Sequence, residues 1–228
     1  MPYFYYDWTM ILVIPGLLLG LYAQFKVKST FDRYSRIRTK SGLTAEQAAR
    51  ALLSRGGSTN VTISRVNGSL TDHYDPSSKT LRLSDSVYGS DSVAAVGVAA
   101  HECGHALQEH DGYGLLKLRT ALVPVVNIGS SLYLPIFMAG LLFSWDPLQM
   151  VGILCFGLTL LFSLVTLPVE INASKRALGM LEGVLDAEEL RGARAVLSAA
   201  ALTYLASVIS SALQLLRLIL ISRSRNRD

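Results

Sequence analysis

The amino-acid sequence predicts a mostly α-helical membrane protein with three or four membrane helices and a polar region holding a small antiparallel β-sheet and one chemically distinctive helix. Three observations predict it. Half of the 228 residues are hydrophobic and 17% are charged, against about 25% charged in ordinary soluble domains. Four uncharged runs, at residues 8–25, 121–145, 147–169 and 195–216, are each as long as a spanning helix requires. Between the first two lies a polar stretch with short β-type runs and helix signals. The length suits one soluble-type unit with a few membrane segments, not two full domains.

The first run, Trp8 to Phe25 (WTMILVIPGLLLGLYAQF), follows a segment without Lys or Arg and precedes no A-x-A site, so it reads as an uncleaved anchor. Gly16 and Gly20 form a G-x-x-x-G within it, a spacing that can serve helix packing. Lys26, Lys28, Arg33, Arg36, Arg38 and Lys40 follow, as on the cytoplasmic flank of a membrane helix. In GLTAEQAARALLSRGG, Thr44 and Gln47 fit a capping box and Gly56 and Gly57 a stop, which frames a short helix. VTISRV and TLRLS read as strands separated by the turn-rich NGSLTDHYDPSSK, hence the expected antiparallel sheet. Ser92 is the expected N-cap of a helix over about 93–109.

The runs 121–145 and 147–169, interrupted at Asp146, form a predicted helical hairpin. A charged stretch from Glu170 to Arg194 comes next, then the Ala- and Ser-rich run 195–216. That last run is long enough to span and polar enough to pack instead as a core helix. A basic tail occupies 217–228. The resulting division is an anchor (8–25), a catalytic-type region (26–120), a hairpin (121–169), a linking segment (170–194), a fourth apolar helix (195–216) and the tail. Net charge is +4, but the basic residues flank apolar runs and no nucleic-acid motif accompanies them, so no nucleic-acid partner is expected. Cys103 and Cys155 are two thiols in apolar surroundings and read as packing residues rather than a disulfide framework.

His101-Glu102-Cys103-Gly104-His105 fits H-E-x-x-H within the nearly uncharged AVGVAAHECGHALQ. Residues four apart share a helix face with Cβ atoms about 5–6 Å apart, so two imidazoles can converge on one ion. Zinc takes such nitrogens at about 2.0–2.1 Å. Glu102, one residue on, lies where a carboxylate can reach a water activated by that metal and accept its proton. This points to a zincin-like hydrolytic site with one Zn²⁺ per chain. Burying two histidines and a glutamate in an apolar helix without such a purpose would be costly.

A catalytic zinc site wants a third protein ligand. His110 points away from the pair on a continuous helix. His73 and Asp75, in DHYDP, suit a site-flanking position or a plain surface turn. Glu170 is the strongest candidate, because a hairpin over 121–169 returns to the membrane face it left; as a charge ending an apolar run it also fits a bilayer boundary.

LTDHYDP, LRLS, SVAAVGVAAHECGHALQ, the hairpin, EINASKRAL and LSAAALTYLA, in that order, resemble the YugP-type membrane zinc metallopeptidases of bacteria over nearly the whole chain. These are similar in plan to the HtpX-type membrane proteases, whose third ligand is a glutamate after a membrane hairpin. The resemblance implies His101, His105 and Glu170 as ligands and Glu102 as general base. The HtpX-type pattern continues E-x-x-x-D, whereas Ser174 stands at that place here, so a carboxylate that would orient a ligand histidine is missing. Asn172 and Ser174 are candidates to replace it. Tyr204 is a candidate oxyanion donor or an interfacial anchor.

The basic flank after the first run predicts a multi-pass protein of the bacterial plasma membrane with residues 26–119, and hence the site, on the cytoplasmic side. A spanning fourth run would carry Arg217, Arg223, Arg225 and Arg227 to the other side, against that rule. The partners implied are the bilayer and a protein or peptide substrate, with a homo-oligomer left open. A site-2-type intramembrane protease would need an N-x-x-P-x-x-P-type or L-D-G segment, which the sequence lacks. A non-catalytic membrane metal-binding scaffold would not need Glu102.

Overall fold

The computed structural model describes residues 8–225. A 3-10 turn at Trp8–Leu12 leads into α1 (Val13–Tyr34), followed by α2 (Ala45–Arg55), β1 (Thr62–Val66), β2 (His73–Asp75), β3 (Thr80–Ser84), α3 (Val93–His110), α4 (Gly114–Leu142), α5 (Asp146–Leu181) and α6 (Ala187–Arg225). The side chain of Arg225 and residues 226–228, with Arg227 of the basic tail, lie outside the description.

Two compact units are built from these elements, and α1, α4, α5 and α6 each contribute to both. One comprises residues 24–117 and 168–202. Its core is α3, whose first two turns are nearly all small residues: Ala94, Ala95, Ala99 and Ala100 are fully buried. Small side chains let neighbours approach closely. A Cβ added to Gly97 would lie 3.3 Å from that of Ala193 on α6, and Leu52 and Leu53 of α2 complete the cluster with Leu81 and Leu83 of β3.

Local signals act where the sequence places them. The Thr44 side chain accepts the Gln47 N–H while the Gln47 side chain accepts that of Thr44, and Gly56 caps the other end of α2. Ser92 Oγ accepts the Ala95 N–H at 3.2 Å and starts α3.

The sheet differs from the expected antiparallel pair. Its order is β1-β3-β2. β1 and β3, the two runs legible in sequence, pair in parallel with Thr62 opposite Thr80. The intervening segment itself supplies β2, antiparallel to β3 with Tyr74 opposite Leu81. The reason is local: the turn after Asp75, closed by Asp75 accepting from Ser77 N and Ser78 Oγ, makes β2 and β3 a hairpin, which takes the antiparallel edge of β3 and leaves β1 the other. Asp72 locks the far end, accepting the Ser84 N–H at 2.7 Å and its hydroxyl at 2.8 Å.

The second unit comprises residues 8–23, 118–167 and 203–225 among those described. α1 with its leading turn, α4, α5 and α6 are each long and apolar enough to cross a membrane. Their outward faces carry Leu17, Leu18 and Leu21 on α1, Ile128, Leu134 and Met138 on α4, and Leu154 and Leu161 on α5, a surface suited to lipid rather than water. Small residues bring the helices together, as membrane packing requires. A Cβ on Gly140 would lie 2.6 Å from Gln149 N, and one on Gly152 would lie 2.7 Å from Phe137 Cβ, so the α4–α5 hairpin is closely packed. Of the G-x-x-x-G glycines, Gly16 packs against Ser210 of α6 and Gly20 faces open space. The run 195–216 belongs to the single helix α6, and Arg217 donates to Thr9 Oγ1 at 3.3 Å. α5 does not end where its apolar run does; it continues through Pro168 and Glu170 to Leu181.

Candidate metal centre

Helical spacing places His101 and His105 on one face of α3, their rings 4.8 Å apart and nearly perpendicular. Glu170 reaches them from the continuation of α5. Its Oε2 lies 3.1 Å from His101 Nε2 and 3.4 Å from His105 Nε2, and all three side chains are largely shielded from solvent. Ligand atoms about 2.0–2.1 Å from a tetrahedral zinc stand roughly 3.3 Å from one another. The two glutamate–histidine separations fit that tetrahedron edge, the three ligand atoms all lie within 4.8 Å of one another, and the two-nitrogen, one-oxygen set is chemically apt for zinc. Among the described residues this is the one group of three or more His, Cys, Asp or Glu side chains arranged to hold a metal.

Glycine makes the approach of the two helices possible. A Cβ on Gly104 would lie 2.5 Å from the Ala173 carbonyl oxygen, and Ala173 sits one turn after Glu170. The α3 and α5 backbones therefore touch directly beneath the cluster.

Glu102 is 8% exposed, and its carboxylate takes part in no hydrogen bond or ion pair among the described residues. Its charge is felt at His105. Burial works against protonating that imidazole, but the hydrogen bond to Glu170 and the charges of Glu102 and Glu170 outweigh it and hold its pKa above the ordinary value. A metal would take the place of that proton.

Each of the two histidines is braced at its other nitrogen, as a histidine bound to a metal would need to be. Ser174 Oγ lies 3.1 Å from His101 Nδ1, at the position where the resemblance leads one to look for a carboxylate. Gln108, wholly buried, puts Oε1 3.0 Å from His105 Nδ1 and donates through Nε2 to Val169 O at 2.8 Å and Asn172 Oδ1 at 2.9 Å. Asn172 thus touches Gln108 rather than a ligand. Its Oδ1 also accepts Arg176 Nε–H at 2.9 Å, and Arg176 in turn pairs with Asp111.

Other sequence candidates sit elsewhere. His110 ends α3 in solvent, and His73 lies exposed on β2 with Nδ1 2.9 Å from Thr71 O. Asp75 pairs with Arg82 at 3.0 Å, and the hydroxyl of Ser78 with the Arg82 guanidinium holds its carboxyl well below the usual carboxylate range. Tyr204 belongs to the second unit, on α6. Gln108 is the member of the site that sequence reasoning missed. The available signal was an amide three residues after His105, on the same face of an Ala-rich helix.

Residues 9–223 match the model of a family described as "Putative neutral zinc metallopeptidase". A relative from Bacillus subtilis (strain 168), "Putative membrane protease YugP", is 44% identical over 214 residues, covering 93% of this chain and 95% of that protein. No solved structure matches. The chain belongs to the zinc metallopeptidase family whose model spans its residues 9–223.

Proposed function

We propose that this protein is a multi-pass membrane endopeptidase that uses one zinc per chain to hydrolyse peptide bonds in membrane or misfolded proteins. The observation that carries the reading is the pairing of the His101–His105–Glu170 cluster with the Glu102 carboxylate one residue from the first of them, largely shielded as a residue and held by no hydrogen bond or ion pair among the described residues. A carboxylate that no donor or cation holds is free to take a proton from a nearby water.

His101, His105 and Glu170 would hold the metal. When bound, zinc supplies Lewis acidity that polarises a carbonyl and makes a water acidic enough to deprotonate near neutral pH. Glu102 accepts the proton of the attacking water at its carboxylate and returns it to the departing amine nitrogen. Ser174 and Gln108 keep the imidazoles oriented.

The basic flank of α1 supports a cytoplasmic position for the site in a bacterial plasma membrane. The relative's description as a membrane protease and the four apolar helices support the membrane setting. Metal content of detergent-purified protein, with casein cleavage in the same preparations, tests the reading. The expected result is near-stoichiometric zinc in wild type, loss of zinc and cleavage in His101→Ala and Glu170→Ala, and retained zinc without cleavage in Glu102→Gln. A Glu102→Gln variant that cleaves as well as wild type would remove Glu102 from the chemistry. A wild type that takes up no zinc would make the cluster structural.

A further inference from the structure

Resting on the zinc reading, we infer that Gln108 is a positioning residue whose amide must point one way, and that this direction is imposed from Arg176 through Asn172. Arg176 is a donor-only group. Its Nε–H lies 2.9 Å from Asn172 Oδ1, so that atom is an acceptor and Asn172 cannot be turned over. The Gln108 atom 2.9 Å from the same oxygen must therefore be the NH₂ group. Val169 O, 2.8 Å from it and also acceptor-only, demands the same.

With Nε2 committed to two acceptors, Oε1 faces His105 Nδ1 at 3.0 Å. Nδ1 must then carry a hydrogen, which leaves Nε2, the nitrogen facing Glu170, as the one that would give its lone pair to the metal in place of a proton. Gln108 is fully buried, so water cannot substitute for any of these bonds. Its two donations also hold the α5 turn that carries Glu170: Val169 precedes that residue and Asn172 follows it by two.

This explains why an amide stands here rather than the carboxylate often found behind a zinc-bound histidine. A carboxylate would accept from His105 Nδ1–H equally well. It would have nothing to donate to Val169 O and Asn172 Oδ1, and three acceptors would face one another in a buried site. Asn172 has the opposite tolerance, because both neighbours donate to its Oδ1.

The chain of donors makes two chemically identical swaps behave differently. Gln108→Glu and Asn172→Asp each replace an amide by a carboxylate, one link apart. Two readouts are taken on full-length protein in detergent: zinc affinity by competition with a chelator, and the unfolding midpoint of the zinc-free protein. Gln108→Glu is expected to weaken zinc about ten- to a hundredfold and to lower the zinc-free midpoint by several degrees. Asn172→Asp is expected to stay within about threefold of wild type in affinity and to leave the midpoint unchanged.

Gln108→Leu, which lacks both acceptor and donors, should weaken zinc at least as much as Gln108→Glu. If the two carboxylate swaps behave alike in the zinc-free midpoint, the directional network is wrong. If Gln108→Glu binds zinc as tightly as wild type, only the acceptor matters and the inference is overturned. Failure of the metal reading shows separately, as a wild type that binds no zinc while the midpoints still report the polarity of the network.

Discussion

The direct contact of Gly104 with Ala173 offers a demanding test of the site, because two effects of known sign oppose each other there. Gly104→Ala should raise helix propensity in the middle of α3, which by itself stabilises by about 1 kcal/mol. Against this, the new Cβ would stand 2.5 Å from the Ala173 carbonyl oxygen, 3.1 Å from its carbon and 3.2 Å from its Cα, where ordinary contact begins at 3.4 Å. The oxygen is thus about 0.9 Å too close. None of these atoms is the flexible end of a side chain, so α3 and α5 must separate as backbones. Overpacking of this kind costs about 1–3 kcal/mol, leaving a net loss of roughly 0–2 kcal/mol after the propensity gain, or a midpoint lower by up to about 8 °C for a chain of this size.

The larger consequence falls on the metal. Glu170 sits one turn from Ala173, and ligand distances tolerate only about 0.2 Å of error. Zinc affinity should therefore fall at least tenfold while the fold survives. Chelator competition and thermal unfolding of detergent-purified protein would measure both. A Gly104→Ala protein with a raised midpoint and unchanged zinc affinity would mean that the two helices do not touch there and that the glycine is incidental.

Ser174→Ala should weaken zinc about tenfold by releasing His101 Nδ1, while Ser174→Asp keeps or tightens it, as chelator competition would show. Thr44→Ala should lower stability by about 1 kcal/mol through loss of the α2 capping box, read from the unfolding midpoint. Asp186 is held at about 2 by the Glu189 amide and the Lys40 ammonium. Its pKa is depressed in the folded state, so the stabilisation is complete above about pH 4 and fades as pH falls toward 2. The midpoint difference between wild type and Asp186→Ala should shrink over that window. In a cysteine-free background, a thiol placed at Asn67 should label only from the cytoplasmic side and one at Asp146 only from the opposite side.

Much of this was legible because the signals are local. Thr44 with Gln47, and Ser92, act on backbone amides three residues away, and such motifs work wherever the chain is helical. His101 and His105 were legible because a helix alone decides that they meet. Glu170 required one further step, the return of a hairpin. The mixed sheet was not legible, since β2 is three residues long in a turn-rich stretch, and the hairpin closed after Asp75 leaves β1 to pair in parallel with a strand that does not follow it directly in sequence. Gln108 was hidden for a related reason. Its meaning comes from Val169, Asn172 and Arg176, more than sixty residues away in sequence. The capping box Asp186-x-x-Glu189, which starts α6, was present in the sequence and overlooked in a charged stretch.

Cys103 lies between His101 and His105 with no exposed surface, its thiol 3.7 Å from Ala49 O on α2 and its pKa pushed up by burial and by the charge of Glu102. A thiol so placed is inert to alkylating reagents while α2 stays docked on α3. The rate at which it is modified therefore acts as a clock for the opening of that one contact. Read with and without zinc, that clock would report how much the ion slows the breathing of the helix that holds it.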